Sequence, residues 1–569
     1  MMENLAIQIS ASSCSQVLVK SPCASGKVQN LPQSSLFTVS LRTGSKFSSS
    51  RRPVALRHLC KQYVGPRCST LELAKPSKEN EENSSGDSRE LLDRQEETDV
   101  NRKTGSFNWL EQWYPVAVVK HMDKLQPRAE TILGRDLVIW WDRNANRWQV
   151  FDDACPHRTA PLSEGRIHES GHLQCSYHGW TFNSSGSCTM IPQLEKGREQ
   201  ALNSSRACVK IYVSMEHQGM IWVWMDRAEG AEERAAANPP PFIPYLNDPN
   251  YVFDIGMMDL PYGYELLTEN LLDPSHVPFA HHKIQGNRNT ARPLNLKVVD
   301  SHIQGFSAKR EETMDLIFHA PCLSRMDFRI PPPKTPPKGH PLALKVREWI
   351  ASRKQPKVDE EVKQISTIFF CVPVAPGKSK VIFSFPRNFA QLVFKLTPRW
   401  FGHYSHMAVI DSDLLLLHEL EHRIQERGGD IKPLYFTPAL ADTCVMEFRK
   451  WFKTLAQGKV DYGAKSSSTL PPRPPRRVLF DRGISHVAKC KICSGAAANF
   501  RRLKEVLQIV SVALVGLVGI ASSNSWHVLS NFSVPLVCLA IASAVTSIWL
   551  SRFIKKMYEY HDYNHAVVE

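Results

Sequence analysis

Residues 105–228 contain short runs of apolar, β-branched and aromatic residues separated by polar turns. Side chains of these types suit the pleated, partly buried surface of a β-sheet. The pattern therefore predicts an N-terminal all-β domain, a small sandwich or barrel. The runs that predict its strands are Pro115–Val119, Leu137–Trp141, Trp148–Phe151 and Ile221–Trp224.

Residues 229–460 combine helical and strand-like patterns, which predicts a second domain of the α+β class. A Pro-rich stretch and a basic segment at 331–357 interrupt these patterns, and we expect an inserted mobile loop there. The predicted elements are a helix over Glu265–Leu272, strands over Ile365–Val372 and Lys380–Phe385, and an amphipathic helix over Ile410–Arg427.

Residues 505–551 hold two uncharged apolar runs, Val506–Ser522 and Phe532–Leu550. Each run has about the length that spans a bilayer as a helix, the first being somewhat short. Lys and Arg flank the outer end of each run, and the link between them is uncharged. This pattern predicts a transmembrane helical hairpin with both ends on one side. The linker 461–504 precedes the hairpin, and the tail 552–569 follows it.

The positive charge of the chain is concentrated at its N-terminus. The net charge is +14, and residues 1–70 contain nine Lys or Arg and one acidic residue, so that +8 lies there. Residues 1–60 are rich in Ser and almost free of acids, which is typical of an organelle transit peptide, although a basic disordered tail has the same composition. The acidic stretch within 61–104 predicts a disordered linker. Because no nucleic-acid-binding motif accompanies the charge, we expect no nucleic-acid partner.

Two Cys/His pairs stand in the predicted β domain. Cys155 and His157 are followed after seventeen residues by Cys175 and His178. In a Rieske 2Fe-2S centre two thiolates hold one iron and two imidazoles hold the other. Zinc also accepts two Cys and two His, but zinc fingers pair Cys with Cys and His with His. One Cys and one His from each loop therefore favour a Rieske cluster.

Two histidines five residues apart, His276 and His281, lie in the second domain, with His282 a less suitable neighbour. Two His and one carboxylate can hold a non-haem Fe(II) that keeps positions open for dioxygen. Each candidate carboxylate could instead be an acid at a helix N-terminus, where it would stabilise the helix dipole. The candidates are Asp413, Asp411 and Asp442.

Cys490 and Cys493 form the remaining motif, a CxxC pair among fourteen cysteines that show no disulfide framework. Such a pair can be a redox dithiol, half of a zinc site or two ordinary thiols. The lack of a second CxxC nearby weakens the zinc hypothesis.

Together these motifs resemble the Rieske non-haem iron oxygenases, and among them the plant chloroplast group of pheophorbide a oxygenase and the protochlorophyllide-dependent translocon component. The resemblance extends over nearly all of residues 105–569. It rests on Phe107–Pro115, Asp153–Gly165, Leu173–Trp180, Ile410–Leu414, Cys490–Cys493, the apolar hairpin and the tail Tyr560–Val568.

The resemblance implies a helix-grip catalytic domain, in which an antiparallel sheet surrounds a long helix. It also selects Asp413 as the iron carboxylate and places Asn270 beside the iron. It implies that Asp273 bridges the cluster of one subunit and the iron of the next in a homotrimer. For Cys490 and Cys493 it implies thiol-based redox control.

The function that the resemblance implies is oxygenation of a chlorophyll-type tetrapyrrole with electrons from reduced ferredoxin and dioxygen. Protochlorophyllide a, oxidised at a ring methyl toward a formyl group, is the expected substrate, and a pheophorbide of chlorophyll breakdown is the alternative. A redox-sensing subunit of the protein-import translocon that turns nothing over is the alternative outside enzymes. We expect a chloroplast location in the inner envelope, with the catalytic domains in the stroma.

Overall fold

The computed structural model describes residues 106–331, 362–465, 469–523 and 532–566. The predicted transit peptide, the predicted disordered linker and most of the predicted inserted loop lie outside these residues. The described chain is α+β, with β-sheets first, a sheet with helices next, and two long apolar helices last. This order agrees with the predicted fold class.

Eleven strands between residues 113 and 224 form three small antiparallel sheets. The predicted strand segments all lie in them, within two residues of the observed ends. The first sheet, in the order β1-β11-β10, contains β1 (Trp113–Val118), β10 (Ser214–His217) and β11 (Met220–Trp224). The second, β2-β3-β4-β9, contains β2 (Arg128–Ile132), β3 (Arg135–Asp142), β4 (Arg147–Asp152) and β9 (Ile211–Tyr212). The third, β5-β6-β7-β8, contains β5 (Arg166–Ile167), β6 (Leu173–Gln174), β7 (Thr181–Phe182) and β8 (Cys188–Met190).

Seven antiparallel strands form the sheet of the second region, in the order β12-β18-β17-β16-β15-β14-β13. Side chains alternate between its faces, so that Met314, Leu316 and Phe318 of one strand are all buried. Its strands are β12 (Ile255–Leu260), β13 (Lys297–His302), β14 (Gly305–Arg310), β15 (Met314–His319), β16 (Leu323–Ile330), β17 (Lys363–Ala375) and β18 (Lys378–Ser384).

Helices pack around this sheet and continue beyond it. In chain order they are α1 (Ala231–Ala237), α2 (Tyr264–Leu271), α3 (Val277–Ala280), α4 (Gln391–Leu396), α5 (Arg399–Glu426), α6 (Thr443–Thr454), α7 (Arg476–Leu479), α8 (Arg482–Ser485), α9 (Lys491–Ser523) and α10 (Ser533–Ile554). The predicted helix at 410–427 is confirmed to within one residue at its end, but α5 begins eleven residues earlier, directly after Pro398. Its first turns are rich in His and aromatic residues and lack the Leu/Glu pattern that predicted the rest.

A buried ion pair connects the first region to the seven-stranded sheet. Lys380 of β18 pairs with Glu130 of β2, and each side chain is only 1% exposed. Arg128 also pairs with Glu130, at 2.8 Å. These cations lower the pKa of Glu130 to about 2, against the opposing effect of burial. The carboxylate therefore stays charged, and the two regions share one continuous packed core.

The last two helices pack against each other and confirm the predicted apolar hairpin. The contact face of α10 contains small residues, Ala540, Ser543 and Ser547, which let two helices approach closely. The Ser511 hydroxyl of α9 donates to the Ala540 carbonyl at 2.9 Å. Apolar side chains such as Val512, 73% exposed, cover the outside. Both helices are long and apolar enough to cross a membrane.

Candidate active site

Two loops of matching form carry the predicted cluster ligands. Cys155 and Cys175 are buried, 2% and 1% exposed, under the same small apolar core. In each loop the residue four positions later donates its backbone N–H to the Cys carbonyl, Thr159 at 2.8 Å and Gly179 at 3.0 Å. Both of these residues adopt a left-handed backbone, with φ of 56° and 74°. The two loops that carry the Cys and His residues therefore share the same backbone turn.

The two histidines of these loops lie at the edge of the domain, outside the buried cysteines. The rings of His157 and His178 are 4.6 Å apart, and His157 stacks on Trp180 at 4.7 Å. Among the described residues the buried Nδ1 of His157 has no hydrogen-bond partner. Burial raises the pKa of Cys155 to about 12, so that a thiolate there needs a compensating cation. An unpaired ring nitrogen and buried thiols fit a 2Fe-2S cluster with Cys and His ligands.

The structure brings His276, His281 and Asp413 together. The Nε2 atoms of the two histidines are 3.1 Å apart. The Asp413 Oδ2 lies 3.4 Å from Nε2 of His281 and 3.7 Å from Nε2 of His276. Metal bonds of about 2 Å place ligands on adjacent octahedral positions about 3 Å apart. The three atoms are therefore spaced for one metal ion, and the short helix α3 sets the two histidines on its ends.

A hydrogen-bond chain fixes which nitrogen of His281 faces this group. The Ser412 hydroxyl donates its single hydrogen to the Val409 carbonyl at 2.6 Å. Its oxygen must therefore accept from Nδ1 of His281, 2.7 Å away. Nε2 is then unprotonated, as a metal ligand requires. Burial lowers the pKa of His281 to about 4, which keeps the ring neutral.

The three candidate carboxylates have different surroundings. Asp413 alone among them faces the two histidines, and its Oδ2 accepts from the Asn270 amide at 3.0 Å. Asp411 is 1% exposed and forms a salt bridge with the fully buried Arg482 at 2.5 Å. Asp442 accepts from the backbone N–H of Ala439 at 3.2 Å, at the entrance to α6. The geometry therefore supports Asp413 as the ligand, and the other two have structural partners.

Asp273 lies on the outer side of His276, where its Oδ2 is 3.8 Å from Nδ1. Its other oxygen accepts from the Ser275 backbone N–H at 2.7 Å and from the Ser275 hydroxyl at 2.5 Å. The Asp273 side chain is 23% exposed. A second molecule could therefore reach this carboxylate, whereas the histidine behind it is less accessible.

The sequence indicated no role for Glu269, and the structure gives it a structural one. Its carboxylate pairs with Arg449 of α6 and accepts from the Tyr435 hydroxyl at 3.0 Å. Arg449 also pairs with Glu265 at 2.8 Å. This partly buried network joins α2, which precedes His276 and His281, to α6.

Residues of the C-terminal tail also lie near the histidine pair, a placement that the sequence did not predict. His565 contributes to the low pKa of His281, after burial and His276. Tyr563 is 8% exposed, and its ring packs on His565 with centroids 4.8 Å apart. The tail therefore lies close enough to His281 to affect its charge. No local pattern could show this, because some 280 residues separate the tail from His281.

Comparison with known proteins identifies the family of the chain. Residues 112–212 match the model of the Rieske [2Fe-2S] domain, and residues 318–430 match that of pheophorbide a oxygenase. The chain is 37% identical over 495 residues to the protochlorophyllide-dependent translocon component 52, chloroplastic, of Arabidopsis thaliana, covering 81% of this chain and 86% of that protein.

Two further relatives have similar coverage. The chain is 38% identical over 478 residues to flavonoid 8-hydroxylase 2, chloroplastic, of Ocimum basilicum, covering 82% of this chain and 88% of that protein. It is 36% identical over 484 residues to pheophorbide a oxygenase, chloroplastic, of Oryza sativa subsp. japonica, covering 81% and 86%. The chain therefore belongs to the chloroplast Rieske oxygenases of the pheophorbide a oxygenase type, iron-dependent enzymes that use a Rieske 2Fe-2S cluster and a mononuclear iron.

Proposed function

We propose that this protein is a membrane-bound chloroplast Rieske oxygenase that oxidises a chlorophyll-type tetrapyrrole, protochlorophyllide a in the first place. The observation that carries the proposal is the group of His276, His281 and Asp413, which offers three ligand atoms to one metal. In this proposal Cys155, His157, Cys175 and His178 hold the 2Fe-2S cluster. Fe(II) held by two His and one carboxylate keeps positions free, and it supplies the activation of dioxygen.

The side chains around the iron ligands hold them ready for the metal. Ser412 keeps the Nε2 lone pair of His281 directed at Asp413 and His276. Asn270 donates to the Asp413 oxygen that faces the histidines and so restricts its rotation. Partners of this kind fix ligand orientation, and their loss commonly lowers metal affinity about 10–100-fold. The chain thereby pre-forms a three-ligand site.

Asp273 is the proposed bridge for electrons from a neighbouring subunit. It stands beside Nδ1 of His276 and is partly exposed. His157 and His178 are also partly exposed, at the edge of the Rieske region. A homotrimer that places one subunit's cluster histidine against the next subunit's Asp273 would link the two metal centres through one carboxylate. Reduced ferredoxin is the proposed donor to the cluster.

The proposed reaction converts a ring methyl group into a formyl group by two successive hydroxylations. Each hydroxylation consumes one dioxygen, two electrons and two protons, places one oxygen atom on carbon and releases the other as water. The second gives a geminal diol, which loses water to form the aldehyde. The electrons come one at a time from the ferredoxin donor, through the cluster.

The apolar hairpin supports a membrane location for this chemistry. Its outward side chains, among them Ile509, Val512 and Ile541, are apolar and more than half exposed. Such a surface is stable in lipid and costly in water. Arg501, Arg502 and Lys504 precede the apolar run of α9, and Arg552 follows that of α10. By the positive-inside rule both ends lie on one side. We propose the inner envelope, with the catalytic regions in the stroma.

A flavonoid is the second candidate substrate, because a flavonoid 8-hydroxylase is as similar to this chain as the translocon component is. A flavonoid would be hydroxylated on an aromatic carbon, again with one oxygen atom incorporated per dioxygen. Pheophorbide a is a further tetrapyrrole to test, given the similarity to pheophorbide a oxygenase.

The deciding experiment is a turnover assay with labelled dioxygen. Detergent-solubilised protein with both iron centres loaded receives reduced ferredoxin and, separately, protochlorophyllide a, pheophorbide a and a flavone. We expect labelled product from protochlorophyllide a, read by mass spectrometry. Label only in the flavone would replace the tetrapyrrole proposal with the flavonoid one. If no substrate gains label, the non-catalytic translocon subunit becomes the better account. In that case His276→Ala would leave an import-linked role intact.

A further inference from the structure

A second group of metal-binding side chains lies away from both iron centres. It contains His403, His486, Cys490 and Cys493. One ligand atom of each residue lies within 4.8 Å of the corresponding atoms of the other three. All four residues are at most 1% exposed. Both cysteines are free thiols.

The distances within this group fit a tetrahedral zinc ion. Zinc–sulfur bonds of about 2.3 Å and zinc–nitrogen bonds of about 2.0 Å put S and N about 3.6 Å apart in a tetrahedron. Nδ1 of His403 is 3.4 Å from Sγ of Cys490 and 3.5 Å from Sγ of Cys493. Nε2 of His486 is 3.3 Å from Sγ of Cys493. These three donor pairs thus have the spacing that zinc needs, and all four donor atoms lie within 4.8 Å of one another.

The second ring nitrogen of each histidine in the group faces an oxygen atom. Nε2 of His403 lies 3.4 Å from the Asp254 carboxylate. Nδ1 of His486 lies 2.5 Å from the Met257 carbonyl oxygen, to which it must donate. The nitrogen of His486 that faces Cys493 is then unprotonated. Metal-bound histidines have such carboxylate or carbonyl partners almost without exception.

The surroundings of the group are apolar, so that a net charge on its four side chains would be costly. Val487, Ala497 and Tyr558 are buried around the two cysteines. Nε2 of His121, from the turn after β1, lies 3.7 Å from Sγ of Cys490. Two thiolates, two neutral imidazoles and a divalent cation sum to zero. A metal therefore allows both thiolates to be buried without an unpaired charge.

We propose that His403, His486, Cys490 and Cys493 bind one zinc ion in a closed structural site. Four protein ligands leave no position open, as in structural zinc sites. The ligands come from the first turns of α5, from the end of α8 and from the start of α9. The ion would thereby fasten the base of the apolar hairpin to the long helix of the catalytic region. This proposal does not depend on the identity of the substrate.

Redox control of Cys490 and Cys493 is the competing hypothesis, and the burial of both thiols weighs against it. A redox partner must reach at least one sulfur, and these are at most 1% exposed. The zinc hypothesis needs no such access in the folded protein. The two hypotheses also differ in composition, because only one of them requires a metal.

The test is metal analysis of the full-length, detergent-solubilised protein, with X-ray absorption at the zinc edge. We expect one zinc per chain beside the iron, with two sulfur and two nitrogen neighbours. Cys493→Ser and His403→Ala should each lose the zinc while keeping the absorption spectrum of the Rieske cluster. Cys322→Ser is the matched control, because Cys322 is a buried thiol in the core of the sheet and should leave zinc content unchanged.

The result on the unaltered protein decides the matter even if a variant fails to fold. Protein with full iron content but less than a tenth of an equivalent of zinc would overturn the proposal. So would a zinc spectrum without sulfur neighbours, or a Cys490–Cys493 disulfide that forms and reduces reversibly in the folded protein without release of zinc.

Discussion

One helix, α5, carries side chains of two very different clusters. Asp413 in its middle faces His276 and His281, whereas His403 near its start faces Cys490, Cys493 and His486. The first cluster offers three ligands, one of them partly exposed, and the second offers four buried ones. Catalytic metal sites keep a position open and structural sites fill all of theirs. Ligand number and access to solvent therefore distinguish the catalytic role proposed for the first cluster from the structural role proposed for the second.

Asp411, which stands between His403 and Asp413 on α5, forms a salt bridge with Arg482. Arg482 also donates to the backbone carbonyl of Lys556 at 3.1 Å, in the segment after α10. Arg482 therefore connects α5, the helix that carries Asp413, to the segment that follows the hairpin.

Removal of a proposed iron ligand should have the largest effect. Asp413→Ala and His276→Ala should lose the mononuclear iron and lower turnover by more than the roughly 10–100-fold that is typical of a lost orienting partner. Iron content and labelled product measure the effect. Asp442→Ala is the matched control, since it loses only a capping carboxylate, worth about 1 kcal/mol. Equal loss of iron in the control would contradict the assignment of Asp413.

Removal of Arg482 should have the next largest effect, on stability. Arg482→Met leaves the Asp411 carboxylate buried and unpaired, at a cost of about 3–5 kcal/mol. The loss of stability is measured as faster exchange of the backbone amide hydrogens of α5. Replacing both residues, Asp411→Leu with Arg482→Met, should restore most of the protection, because no charge remains buried. If the single variant exchanges like the unaltered protein, Asp411 is not held as the structure indicates.

Asp273→Asn should slow electron transfer and spare both metal centres. The neutral amide no longer accepts a hydrogen bond from an imidazole on each side, as the proposed bridge requires. We expect reoxidation of the cluster by dioxygen in the presence of substrate to slow about 10–100-fold, the range for lost outer partners. Stopped-flow absorption of the cluster reports the rate. Unchanged reoxidation with full iron content would remove Asp273 from the electron route.

The smallest effect is expected from Ser412→Ala, which removes the group that orients His281. Iron affinity should fall about tenfold, at the lower end of the range for outer partners. Titration of the iron-depleted protein with Fe(II) measures it. Ser405→Ala is the control, because the Ser405 hydroxyl, also on α5, binds only the Phe401 carbonyl among the described residues. Equal affinities in the two variants would contradict the role of Ser412.

Sequence patterns predicted the elements and motifs that are formed by residues close together in the chain. The strands follow from runs of β-branched and aromatic residues, and the proposed cluster ligands from two motifs of three and four residues. The pair His276 and His281 stands on one short helix. The hairpin was predicted from the length of two uncharged apolar runs alone. In each of these cases neighbours in sequence are neighbours in space.

The rest depends on contacts between distant segments. His403 reaches Cys490 from 87 residues away, and nothing in the sequence near it marks it as a ligand. His486 is four residues before Cys490, and this spacing was a signal that could have strengthened the zinc hypothesis. The position of Ser412 behind His281 and the pairing of Asp411 with Arg482 arise only when α5 packs against its neighbours.

The most direct test of the proposed oxygenase activity is a single turnover with and without the mononuclear iron. Protein with a reduced cluster and bound protochlorophyllide a is mixed with labelled dioxygen, before and after an iron chelator has removed the mononuclear iron. We predict labelled product before chelation, none after it, and recovery on addition of Fe(II), with the metal of the closed cluster unchanged throughout. Labelled product from the chelated protein, or none from fully loaded protein, would contradict the account.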